Sequence, residues 1–167
     1  MKNLVMILGL YLAVALQLSV AAPFGASQWG FDIVLLLLIY YSSFSSRVGG
    51  MLWALAGGVL LDVFDPASMG GHLVAKTTAI LLFGIADSSL NLSQPAILGA
   101  ILLLLSILDR MIFRLFSPFL SNYGWALLRV DLPSAVLTAL LGFILLYVAM
   151  RFGAFLPGRM QDADDSL

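Results

Sequence analysis

Apolar runs of membrane-crossing length alternate with short polar breaks along almost the whole chain. A bilayer core about 30 Å thick calls for about 20 apolar residues per helix, fewer where a helix is shielded by protein. The first run extends from Leu4 to Ala22 and stops at Pro23. A second begins near Phe31 and ends at Ser45, Ser46 and Arg47. The third opens on Gly49 and continues to the turn DPASMGG, and the fourth covers about His72 to Ala86. The polar stretch DSSLNLSQP closes the fourth, and Pro95 is well placed to open a fifth helix over about Ala96 to Phe116. The segment SPFLSNYGWALLRVDLP reads as a loop with an interfacial piece, in which Tyr123 and Trp125 are belt residues; Trp29 has the same character in the first loop. A sixth run, from about Ser134 to Phe155, ends before Pro157 and Gly158. The pattern predicts an all-α integral membrane protein of about six transmembrane helices. Residues 1–158 would form one polytopic unit, and 159–167 a polar tail.

Composition agrees. Hydrophobic residues make up 62% of the 167 and charged residues 10%, with a mean hydropathy of +1.06. Soluble domains carry about 25% charge, so most of this surface is expected to face lipid. The net charge of −1 argues against a nucleic-acid partner. The absence of cysteine excludes thiolate metal sites and a disulfide framework. The N-terminal run exceeds the length of a signal-peptide core and is followed by further membrane segments, so it reads as an uncleaved first helix. With six spans, Lys2, Arg47, Arg151 and Arg159 share one side, expected to be cytoplasmic, and both termini lie there. The Asp65 turn falls on the other side; Arg129 opposes the bias.

The few charges inside the spans carry the candidate chemistry, because a charge near the bilayer centre costs roughly 2.5–3.5 kcal/mol on insertion scales. Asp62 ends the third helix and Lys76 lies about one turn into the fourth, so a reversal between them predicts an Asp62–Lys76 contact, with His72 on the same face as Lys76. Two roles suit this trio: a proton or ion relay, or an ion pair that pins a hairpin. The second is favoured, since a relay needs a path to both faces and no comparable groups continue it. One His and one Asp do not make a metal ligand set. On the fifth helix Arg110 and Arg114 are one turn apart and are expected to snorkel to the outer interface, while Asp109 should face the interior or pair with an arginine. Gly50, Ala54, Gly58 and Asp62 recur every four residues, with Gly57 beside them, a stripe that lets another helix approach closely. That neighbour is either internal, the default, or a partner protein's helix; Gly70 and Gly71 in the following turn belong to the same packing set. No catalytic constellation is present: there is a single histidine and neither a GxSxG nor an HExxH pattern. No cofactor is expected.

From Phe31 to Phe83 the chain resembles the MreD family of bacterial rod-shape membrane proteins. The resemblance rests on Asp32 leading an apolar second helix, Arg47 in the turn after it, and a glycine-rich third helix with Gly57, Gly58, Leu61 and Asp62. A turn with Pro66, Ser68, Gly70 and Gly71 follows, and Asp109 stands in the fifth helix where the family tends to carry an aspartate. The first helix agrees only in layout, and the acidic tail departs from the more basic end of the family. The resemblance implies a non-enzymatic scaffold in the bacterial inner membrane. Its partners would be a bitopic MreC-like protein and, within the assembly, an MreB filament, a RodA-like polymerase and a penicillin-binding transpeptidase. The family is similar in helical layout to the substrate-binding subunits of energy-coupling-factor vitamin transporters. A small-molecule-binding transporter subunit is therefore the alternative, although polar lining beyond Asp62, His72, Lys76 and Asp109 is sparse.

Overall fold

A computed structural model describes residues 2–21, 31–43, 45–64, 70–90, 92, 94–116 and 127–151. Among them are six α-helices: α1 (Lys2–Ala21), α2 (Ile33–Ser42), α3 (Arg47–Phe64), α4 (Gly71–Ser89), α5 (Pro95–Phe116) and α6 (Leu132–Arg151). A one-turn π-helix, Leu127–Asp131, leads directly into α6. The described residues contain no strand. The loop with Trp29, the Asp65 turn with Pro66 and Ser68, Tyr123, Trp125 and the tail 159–167 lie outside the described residues.

Three segments are long and apolar enough to cross a membrane: Arg47–Phe64, Pro95–Phe116 and Arg129–Val148. Shorter apolar stretches occupy Leu4–Ser19 of α1 and Ile33–Ser42 of α2. At 1.5 Å per residue the ten residues of α2 extend only about 15 Å, half of a bilayer core. Its central position accounts for its composition. α2 packs on α1, α3, α4 and α6, and Val34, Leu35, Leu36, Leu38 and Ile39 are all buried. A helix apolar all round is one enclosed by its neighbours.

Local chemistry sets the helix ends. Asp32 caps α2, its Oδ1 accepting from the Leu35 N–H at 2.9 Å, while Gln17 Oε1 on α1 accepts from the Val34 N–H at 3.1 Å. Ser43 closes α2 by donating its N–H and its hydroxyl to the Ile39 carbonyl. Ser46 Oγ accepts from the Gly49 N–H at the start of α3. Pro95 opens α5, where a missing N–H costs nothing. α1 and α3 each open two residues earlier than the sequence reading, at Lys2 and Arg47, and two further boundaries also depart from it. α4 runs past Ala86 through Ser89, with Ser88 Oγ donating to the Ile85 carbonyl, so the serine satisfies itself against the helix instead of breaking it. α6 begins at Leu132, with Pro133 tolerated in its first turn, so the stretch read as loop up to Pro133 is helical from Leu127.

α3 packs on α4, α4 on α5 and α5 on α6. The α3–α4 contact is the closest. An ideal Cβ on Gly58 would lie 2.5 Å from the Leu73 Cα and 2.9 Å from its N, so the two backbones touch there. Gly57 faces Leu10, Leu38 and Val34, and Gly50 faces Ser42 and Ile80. Gly50, Ala54, Gly57 and Gly58 are buried. The small-residue stripe is thus covered by α1, α2 and α4 of the chain itself, the internal neighbour that was the default, and not by a partner's helix. Outward-facing Leu4, Ile7, Leu8, Tyr11 and Leu12 on α1 and Val48, Leu52, Val59 and Val63 on α3 are exposed, as lipid-facing surfaces require.

Candidate functional site: a buried lysine between two aspartates

Gly70 has φ +86°, a left-handed conformation at the N-cap of α4, and without a side chain it cannot cap. Asp62 does so from α3. Its Oδ1 accepts from the His72 N–H at 3.1 Å and its Oδ2 from the Leu73 N–H at 3.0 Å. These are the donors that an N-cap side chain normally satisfies, and the positive end of the helix favours the carboxylate. The close approach at Gly58, one turn earlier, brings Asp62 within reach. The expected Asp62–Lys76 ion pair is therefore corrected. Asp62 is engaged with the α4 backbone, and Lys76, one turn further along α4, points to other acids.

Lys76 is fully buried, at 0% exposure, with Asp32 at 4% and Asp109 at 3%. Its Nζ donates to Asp109 Oδ2 at 2.7 Å and also to Asp32 Oδ2. Asp32 spends its other oxygen on the α2 cap, and its N–H donates to Thr138 Oγ1 of α6 at 2.9 Å. Thr138 in turn donates to the Ser134 carbonyl. One ammonium thus joins the N-terminus of α2, the second turn of α4 and the second half of α5, with α6 tied on through Thr138. The charge of Arg110 acts on both carboxylates, so two cations face two anions. Asp109 does face the interior, as the sequence predicts, and its partner is the lysine. Asp109 Oδ1 and Ser106 Oγ, on one face of α5, have no hydrogen-bond partner among the described residues, nor has Thr77 Oγ1.

The remaining predicted residues serve the α4–α5 and α5–α6 contacts. His72 stacks on Phe113 of α5, ring centroids 4.3 Å apart, and does not extend the Lys76 cluster as the trio predicted. Gly71 lies against Phe113 and Phe116, where an added Cβ would meet atoms at 3.1 Å. Arg114, expected to snorkel outward, instead binds Asp131 through Nε and Nη2 at 2.5 and 2.9 Å, with its side chain 21% exposed. Arg110 lines a cleft with Ile107, Met111, Asp131 and Leu132. Among the described residues no group of three or more His, Cys, Asp or Glu is placed to hold a metal.

Sequence reasoning missed Asp32 and Asp131 as ion partners. Asp32 was legible as a cap, standing directly before the apolar run IVLLLLI. A capping carboxylate uses one oxygen and leaves the other available. Asp131 carried no such signal, because only the π-helix turns it toward Arg114. Compared with family models, curated proteins and solved structures, the chain matches none.

Proposed function

We propose that this chain is a non-enzymatic membrane scaffold of the MreD type. It holds an MreC-like bitopic partner in a bacterial inner-membrane assembly that also includes an MreB filament, a RodA-like polymerase and a penicillin-binding transpeptidase. The observation that carries the reading is how the chain uses the residues of the Phe31–Phe83 pattern. Asp32 caps α2 and binds Lys76, Gly58 admits α4, Asp62 caps α4, and Gly71 admits α5. Internal charge is thus spent on fixing helices against one another, which is the demand on a scaffold that must present a constant lipid-facing surface. The test is co-purification with an MreC-like protein in mild detergents. A stable complex is expected, and separation under every such detergent would remove the proposal.

The same reading gives the chain six crossings with both termini in the cytoplasm, in a layout similar to the vitamin-transporter substrate subunits. In that layout α2 spans part of the bilayer core while α4, α5 and α6 shield its Asp32 end, as buried polar backbone requires. Single cysteines at Ser46 and Ser121, in a chain that has none, are expected to react with an impermeant maleimide from opposite faces. Reaction from one face would exclude six crossings.

A further inference from the structure

We propose that the Lys76 cluster holds a buried water molecule, bound among Asp109 Oδ1, Ser106 Oγ and the third N–H of Lys76. The inference is independent of any protein partner. An ammonium has three N–H donors. Lys76 gives two of them to Asp32 and Asp109, and the third has no partner among the described residues. Asp109 Oδ2 accepts from the lysine at 2.7 Å, while its Oδ1 accepts from none of them. Ser106 Oγ is likewise unpartnered, and both residues are 3% exposed. Ser19 and Thr138 satisfy their hydroxyls on the carbonyl four residues back, the usual habit in a helix, but Ser106 does not. Folded proteins leave few buried polar atoms unanswered, and ordered water is a regular answer.

Position and chemistry both select water. Ser106 and Asp109 stand three residues apart on α5, which sets their Cβ atoms about 5–6 Å apart on one face. A water making two hydrogen bonds of about 2.8 Å spans such a gap. The antiparallel register that pairs His72 with Phe113 and Lys76 with Asp109 brings Ala79, 1% exposed, opposite Ser106. Two small side chains thus face each other one turn from the ion cluster, where space for a water is expected. Thr77 Oγ1, the remaining unpartnered atom, belongs elsewhere: Leu73 and Ile80, which flank it on the same face, lie against Gly58 and Gly50 of α3. The occupant must accept from an ammonium and donate to a carboxylate oxygen. A cation is repelled by Lys76 and an anion by Asp109. Neutral water meets both demands, and the serine hydroxyl can take either role toward it.

A crystal structure of the full chain at a resolution that shows ordered water is the direct test. A density peak is expected about 2.8 Å from Asp109 Oδ1, within hydrogen-bond reach of Ser106 Oγ and Lys76 Nζ. A Ser106 hydroxyl donated straight to Asp109 Oδ1 or to the Leu102 carbonyl, with no such peak, would overturn the proposal. A peak with the several short oxygen contacts of a metal ion would overturn it as well. Infrared spectroscopy of the full chain in detergent and heavy water tests it without crystals. The O–D stretch of a bound water moves to lower frequency when the solvent carries heavy oxygen, whereas that of a serine hydroxyl does not. The spectrum of the unaltered chain minus that of Ser106→Ala, a change too small to threaten folding, is expected to contain a band that moves with the solvent oxygen. A difference spectrum indifferent to that oxygen would mean that the hydroxyl bonds the protein directly, and the site would hold no water.

Discussion

Lys76→Met is expected to destabilise the protein by about 3–5 kcal/mol, the cost of breaking a buried ion pair by removing one partner. The substitution keeps an unbranched side chain of similar length, so little packing is lost. What it leaves is two carboxylates, Asp32 and Asp109, at 4% and 3% exposure without their shared ammonium. The physical account makes a second, more discriminating prediction. Adding Asp109→Asn and Asp32→Asn to Lys76→Met should recover most of the loss, because the buried negative charge is gone and asparagine still caps α2. Thermal unfolding in detergent measures both. Pairwise cycles locate the coupling: Lys76→Met and Asp109→Asn should be strongly non-additive, whereas Lys76→Met and Asp62→Asn should add. The Asp62–Lys76 pair suggested by the sequence would give the reverse.

Gly58→Ala is expected to cost more than any other alanine substitution in the α3 stripe. Its Cβ would sit 2.5 Å from the Leu73 Cα and 3.0 Å from the His72 carbonyl oxygen. These are backbone atoms that no rotamer change can move, so α3 and α4 must separate. Overpacking of this kind costs about 1–3 kcal/mol, and separation also pulls Asp62 from the His72 and Leu73 N–H groups, worth about 1 kcal/mol as a cap. Gly57→Ala is the control. Its nearest neighbour is the Leu10 Cδ1 at 3.2 Å, the end of a flexible side chain, and a loss of well under half that of Gly58→Ala is expected. Equal effects at the two positions would show that α3 and α4 do not meet backbone to backbone.

Both predictions depend on pairings that the sequence only partly displayed. The hairpin of α3 and α4 was legible, because glycines every four residues followed by a turn leave few other ways to pack. Asp109 was legible as an interior residue, since a short acid deep in an apolar helix cannot reach the interface. The partner of Lys76 was not. A one-turn separation in a hairpin argued for Asp62, but the left-handed Gly70 leaves the α4 N-terminus without a side-chain cap of its own, and Asp62 is taken by those N–H groups. The lysine therefore turns toward acids 44 and 33 residues away in the chain. No local spacing encodes such separations.

By itself, the sequence determined that the chain is helical and apolar, roughly where each helix starts and stops, and which charges must be answered inside it. These properties follow from composition and from periodicity over a few turns, which each segment carries without reference to the others. Only the tertiary structure decided how those charges are answered. Lys76 bridges α2, α4 and α5, Arg114 clasps Asp131 through a π-helical turn, and the ten residues of α2 are enclosed by their neighbours. A buried charge is satisfied by whichever opposite group packing brings within about 3 Å, and packing is a property of all the helices together.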